Sequence, residues 1–300
     1  MAIAPKNAAL MRQAGIASVA AAMALILIKL YAFIETGSVS MLSTLFDSAL
    51  DFGASLVNLV AIRTAVAPAD AEHRFGHGKA EPLAGLVQVG FILGSSILLL
   101  VEVVDHFLHP QIVQNYTLGI VVMVVSIAIT GALILFQRGV VKRTGSLAVT
   151  ADAAHYASDF LVNISVIVAL VLSSVFGWWW IDPLCGLLVA LFIGVTAVSI
   201  GRQALDMLMD REMEDADRDK IKEIARAHPE VRDLHDLRTR VSGQDRFIQF
   251  HLELSPDILL KAAHRISDEV EAKLVAAFPG AEVIIHQDPY GIEERRARFR

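Results

Sequence analysis

Cysteine is almost absent from this chain. Cys185 is the single one among 300 residues, which excludes an intrachain disulfide and argues against thiolate metal chemistry. In its apolar surroundings it reads as a small buried residue. Charge is scarce too: Asp, Glu, Lys and Arg make up 19% of the chain, and most of them fall near the C-terminal end. A nucleic-acid surface is missing, because the one dense basic cluster, Arg295, Arg296, Arg298 and Arg300, reads as a solvated tail. His-Glu-x-x-His, internal repeats and low-complexity segments are absent as well.

What the chain has in excess is apolar length. Hydrophobic residues account for 55% of it, and the mean hydropathy is +0.54, above the range of soluble domains. A helix needs about 20 apolar residues to cross ~30 Å of hydrocarbon. Six stretches qualify, at about 13–34, 39–63, 82–105, 114–136, 146–174 and 181–205. Lys6 and Arg12 precede the first, as in a signal peptide. That stretch nevertheless runs a full span with no small-residue cleavage site, so it reads as a spanning helix. Residues 209–300 read as a separate globular domain after a membrane domain at 1–208. Lys and Arg are absent from the connections at 35–38, 106–113 and 175–182, whereas Arg63, Arg74, Lys79, Arg138, Lys142 and Arg143 populate the alternate ones. The positive-inside rule then places both termini in the cytoplasm. Trp178, Trp179 and Trp180 fall where an outer aromatic belt would lie, and Lys29, in the outer half of the first helix, is expected to snorkel to that interface.

The tail pattern predicts helix, strand, strand, helix, strand, a small α+β domain. Asp217–Ala227 is helical; Val231–Val241 and Phe247–Leu254 are strands joined by a Ser-Gly-Gln-Asp turn. Ile258–Phe278 is an amphipathic helix opened by Ser255-Pro256-Asp257, and Ala281–His286 is a final strand.

The acids inside the apolar stretches carry the chemistry. Asp47 with Asp51, and His155 with Asp159, are spaced i, i+4, so each pair shares a helix face. A carboxylate at mid-bilayer costs roughly 2.5–3.5 kcal/mol on insertion scales. Counting from Gly37 and from Gly145, both pairs start about 15 Å in, half of the ~30 Å core. They enter from opposite faces and can meet. Three carboxylates and one imidazole form a closed four-ligand shell suited to tetrahedral Zn²⁺, with Fe²⁺, Mn²⁺, Co²⁺ and Cd²⁺ also admissible. Three close carboxylates cannot all stay ionised, so an empty site holds a proton, and metal and proton compete for it. Hydrolytic zinc sites keep one position open for water, which argues against an enzyme.

Two further sets of ligands are expected. Asp70, His73 and His77, at i, i+3 and i+7 ahead of Gly78 and Lys79, would share a face on a short helical turn and form a weaker loop site. In the tail, His235 and His251 are nearly symmetric about Gly243, His286 and Asp288 alternate along an extended segment, and His264 lies on the helix. Together they suggest a one- or two-metal site with Asp288 as a bridging ligand.

Asp-x-x-x-Asp on the second span, His-x-x-x-Asp on the fifth and the segment from Asp70 through Gly78-Lys79 resemble the cation diffusion facilitator family, in its bacterial zinc/iron efflux branch. The resemblance covers nearly the whole chain. It implies a homodimeric metal/proton antiporter of the inner membrane that exports Zn²⁺, or else Fe²⁺ or Cd²⁺, from the cytoplasm. It implies a transport site at Asp47, Asp51, His155 and Asp159, the loop site above, and a binuclear tail site. It further implies a ferredoxin-like, metallochaperone-like tail that dimerises and senses metal, and a salt bridge between Lys79 and Asp210.

Overall fold

The computed structural model describes residues 5–37, 39–108, 117–176 and 180–291. Trp178, Trp179 and the terminal arginines lie outside the described residues. Contacts divide the chain into a helical unit, residues 5–67 and 79–205, and a second unit that joins residues 68–78 to the tail from Asp206 onward.

The helical unit consists of α1 (Pro5–Thr36), α2 (Val39–Ala65), α3 (Ala80–Leu108), α4 (Thr117–Thr144), α5 (Leu147–Phe176) and α6 (Ile181–Leu208). Among the described residues, α1, α2, α3, α4 and α6 contain stretches long and apolar enough to cross a membrane. The remaining helix, α5, has 30 residues and carries Asp152, His155 and Asp159. Leu98 is 70% exposed, Leu135 71% and Val195 73%. Such side chains are stable facing lipid and not water. Helix contacts are made by small residues, as expected where lipid leaves no hydrophobic drive between helices. Gly186 and Gly201 of α6 lie against Val103 and Val89 of α3, and Ser96 donates to the Ala190 carbonyl at 2.9 Å. α1 packs on α2 and α4, α3 on α2 and α5, and α4 on α5. Cys185 is half-buried, less enclosed than its apolar surroundings suggest.

The tail runs α7 (Asp215–Arg226), β1 (Asp233–Ser242), β2 (Asp245–Leu254), α8 (Leu260–Ala277) and β3 (Ala281–Pro289), the expected order. β1 and β2 are antiparallel, and β2 and β3 are parallel. The hairpin turns on Gly243-Gln244, with Gly243 at φ 61°, the first-position glycine a type II′ turn requires. Ile248, Phe250, Leu252 and Leu254 alternate along β2 and pack with Ile221, Ile266, Val270 and Leu274. One sheet face is therefore the core, and Gln249, His251 and Glu253 face the other way. Ser255-Pro256-Asp257 does not cap α8. It forms a separate turn, and α8 begins at Leu260 with Leu259 at the cap position and no side-chain cap bond.

Residues 68–78 dock on this sheet. Phe75 meets the Phe247 ring edge-on, 5.9 Å between centroids, and the Arg240 guanidinium lies 5.2 Å from the Phe75 ring and 4.4 Å from that of Phe247. Gly78 approaches the hairpin so closely that a Cβ there would clash with the Ser242 carbonyl oxygen. Gly78→Ala is thus expected to cost roughly 1–3 kcal/mol and to free residues 68–78 for proteolysis. Gly90→Ala, on a lipid-facing helix position with nothing within 4 Å, is the control and should leave melting and cleavage unchanged.

Candidate metal centres

α2 and α5 touch, and the contact brings their acid-bearing faces together. The His155 Nε2 lies 3.2 Å from Asp51 Oδ1 and 3.9 Å from Asp159 Oδ2. Ligand atoms of these three residues all lie within 4.8 Å of one another. His155 is buried, with the rings of Phe91 and Tyr156 edge-on to it at centroid distances of 6.5 Å and 5.6 Å. Asp47 stands apart from this group, exposed on the turn of α2 before Asp51. One helical turn is ~5.4 Å, and like charge discourages a third carboxylate from folding in. Of the expected four ligands, three are gathered and the fourth is a turn away.

Lys29 does not snorkel outward. Its Nζ donates to Ser48 Oγ at 2.7 Å and to the Thr44 carbonyl at 3.1 Å, so it turns toward α2. The reason is local: two acceptors on the acid-bearing face are nearer than an interface.

A residue missed from the sequence is Asp152, one turn before His155. It is buried, and it accepts hydrogen bonds from Ser18 of α1, from Gln137 of α4 at 2.7 Å and from Gln88 of α3 at 3.3 Å. Gln88 also donates to the Ala54 carbonyl of α2 at 3.2 Å. Tyr156 joins the same layer, donating to the Ser18 carbonyl at 3.1 Å and sharing a 2.7 Å bond with Ser55. Side chains from three helices thus converge on one carboxyl carried by a fourth. Scattered Ser, Gln and Asn in apolar helices were the available signal, but a single polar residue per helix shows no period.

In the loop, Asp70 Oδ1 lies 3.3 Å from His73 Nδ1, and Asp70 Oδ2 lies 3.3 Å from His77 Nε2. The expected helical turn is absent. Residues 68–78 form turns, with Asp70 Oδ1 accepting the backbone N–H groups of His73 at 2.6 Å and Glu72 at 2.9 Å. This short-range capture outcompetes a helix, and it holds the Asp70 carboxyl below the usual carboxylate range. The two imidazole rings stand 4.6 Å apart.

The tail site is a row of histidines across the sheet. His235 pairs with His251, and His251 with His286, with ring centroids 4.9 Å and 4.6 Å apart. Asp288, nearly buried, serves all three: Oδ2 is 2.7 Å from His251 Nδ1 and 3.4 Å from His235 Nε2, and Oδ1 is 3.2 Å from His286 Nε2. Asp288 thus lies where it reaches all three imidazoles. Two acids were overlooked. Glu253 Oε1 lies 2.7 Å from His235 Nδ1, and Asp236 Oδ2 lies 3.9 Å from His251 Nε2. The i, i+2 spacing of His251 and Glu253 along β2 would have revealed the first. Asp236 reaches the site through an irregularity between His235 and Arg238, where its φ is 48°. His264 is not in the cluster. It is exposed on α8 and paired with Asp268 at 3.7 Å.

The chain matches two family descriptions: "Cation efflux transmembrane domain" over residues 15–209 and "Cation efflux protein, cytoplasmic domain" over residues 213–290. It is 50% identical to the cation-efflux pump FieF of Shewanella oneidensis over 277 residues, 92% of this chain and 93% of that protein. Identity is 46% to the FieF of Klebsiella pneumoniae, over 94% of each chain, and 44% to that of Escherichia fergusonii, over 96% of each. Asp288→Ala removes the one carboxylate that serves all three imidazoles. Metal bound per chain at equilibrium should fall, whereas His264→Ala should leave it unchanged, as read by elemental analysis of purified protein.

Proposed function

This chain belongs to the cation diffusion facilitator, or cation-efflux, family, and we propose that it exports Zn²⁺ from the cytoplasm in exchange for protons. It is a multi-pass membrane transporter of divalent metal with a cytoplasmic C-terminal domain, and not an enzyme. The observation that carries the finer reading is the Asp51–His155–Asp159 cluster shared by α2 and α5. One imidazole with carboxylates fits Zn²⁺ and also Fe²⁺ or Cd²⁺. Asp47, on the same face one turn along α2, completes four ligands once a dication offsets its repulsion.

All four ligands bind metal only when deprotonated, so protons displace the substrate from them. Exposure of the site to each side in turn converts this competition into exchange. His155 is the most enclosed of the cluster, with the Phe91 and Tyr156 rings edge-on to it. It acts as the pivot, with Asp51 and Asp159 closing on the ion from either helix. Asp70, His73 and His77, together with the His235–His251–His286 row and Asp288, hold metal on the cytoplasmic side. The tail joins two copies in a homodimer, in keeping with the cytoplasmic-domain family it matches. Asp210, at the start of the tail, is held by Arg240 of β1 at 3.3 Å. The lysine and arginine bias of the connections supports an inner-membrane topology with both termini cytoplasmic.

Zn²⁺ uptake into inverted vesicles tests this. Asp159→Ala should reduce uptake by ~100-fold, since even outer-shell partners of a metal contribute 10–100-fold. Collapsing the pH gradient should slow the wild-type protein. Wild-type rates in the variant, or rates indifferent to the gradient, would refute the site or the coupling respectively.

A further inference from the structure

Lys29 is unlike the other basic residues of the six helices. Lys6, Arg12, Arg138, Lys142 and Arg143 fall outside the apolar stretches, and Arg63 and Arg202 within the last four residues of theirs, whereas Lys29 lies inside the first stretch, at 13–34. Its ammonium is anchored on α2 by Ser48 Oγ, 2.7 Å away, and by the Thr44 carbonyl, 3.1 Å away. Thr44, Asp47, Ser48 and Asp51 follow at i, i+3, i+4 and i+7, so all four share one face of α2. The ammonium is therefore held on the acid-bearing face itself, within electrostatic reach of Asp47, Asp51 and Asp159. Burial opposes a charge there, while the three carboxylates and the two acceptors favour it.

We propose that Lys29 is a tethered cation of the transport site that sets the charge of the ion the site accepts. This rests on the assignment of Asp47, Asp51, His155 and Asp159 as that site. Three ionised carboxylates and one ammonium sum to a net charge of −2, the complement of a dication. Without Lys29 the same shell carries −3. A dication then meets a more negative shell, binds it more tightly, and leaves one negative charge on the occupied site. A monovalent ion leaves the native shell short by one charge, and a trivalent ion overfills it. The ammonium also repels the substrate from a short distance, so it weakens binding and speeds release. Lys29 touches the supports of the ligands and not the ion, which makes it a positioning and charge-setting residue.

The experiment is Zn²⁺ uptake into inverted vesicles, with KM and kcat measured separately. Lys29→Met removes the charge and keeps the bulk. Lys29→Gln removes the charge and keeps a donor for Ser48 and Thr44. Lys29→Arg keeps the charge. Both uncharged variants should show KM lowered roughly tenfold, the order expected for one nearby charge acting on a dication, together with a lower kcat as release slows. Lys29→Arg should restore both values to near wild type. The proposal is overturned if Lys29→Met and Lys29→Gln keep wild-type KM and kcat. It is overturned equally if Lys29→Gln matches wild type while Lys29→Met does not, which would mark a hydrogen-bonding role, or if Lys29→Arg performs no better than Lys29→Met. Asp159→Ala, run alongside, distinguishes the two levels: full activity there removes the site assignment itself, whatever the Lys29 variants do.

Discussion

Carboxylates do not persist in the middle of a bilayer unless something neutralises them, and this structure is organised around that requirement. The apposition of α2 and α5 puts a buried imidazole, His155, between two carboxylates. Helices α1, α3 and α4 supply the support. Phe91 of α3 packs on the His155 ring, Lys29 of α1 is anchored on the acid face of α2, and α1, α3 and α4 converge on Asp152 one turn below. Both carboxyl-bearing layers draw on side chains from several helices, so charge compensation and helix packing are the same set of contacts.

The candidate ligands of the tail and the loop face a different problem. In water a carboxylate is cheap and a fixed geometry is not. The sheet provides that geometry by register: His235, His251 and His286 occupy one row because their strands pair there, and a core of Ile248, Phe250 and Leu252 on the opposite face holds the strands in place. The loop achieves it with less structure. Two backbone N–H groups grip the Asp70 carboxyl, and Phe75 and Arg240 attach the segment to the sheet. Three candidate ligand sets of similar chemistry are thus held by helix contact, strand register and a turn, in order of decreasing burial.

Much of this was legible from residue order. The six spans and the tail's helix–strand order follow from period and length, and the pairing of His235 with His251 follows from their distance to Gly243. Features that need tertiary context were not legible. The i, i+3, i+7 spacing of Asp70, His73 and His77 suggested a helix, but Asp70 captures its own backbone and forms turns. Lys29 looked like a snorkelling residue because its partners, Thr44 and Ser48, lie on another helix. Asp236 enters the tail site only because of an irregularity in β1, and His264, on a surface histidine's helix face, looked no different from a ligand. The convergence of Ser18, Gln88 and Gln137 on Asp152 has no signature in any single helix.

The most direct test of the neutralisation account is X-ray absorption at the zinc edge on protein carrying Asp70→Ala and Asp288→Ala, so that the site between α2 and α5 dominates the signal. The zinc shell should then be one imidazole nitrogen with carboxylate oxygens at ~2.0 Å and no sulfur. A shell with two or more imidazoles, or zinc surrounded only by water, would contradict it.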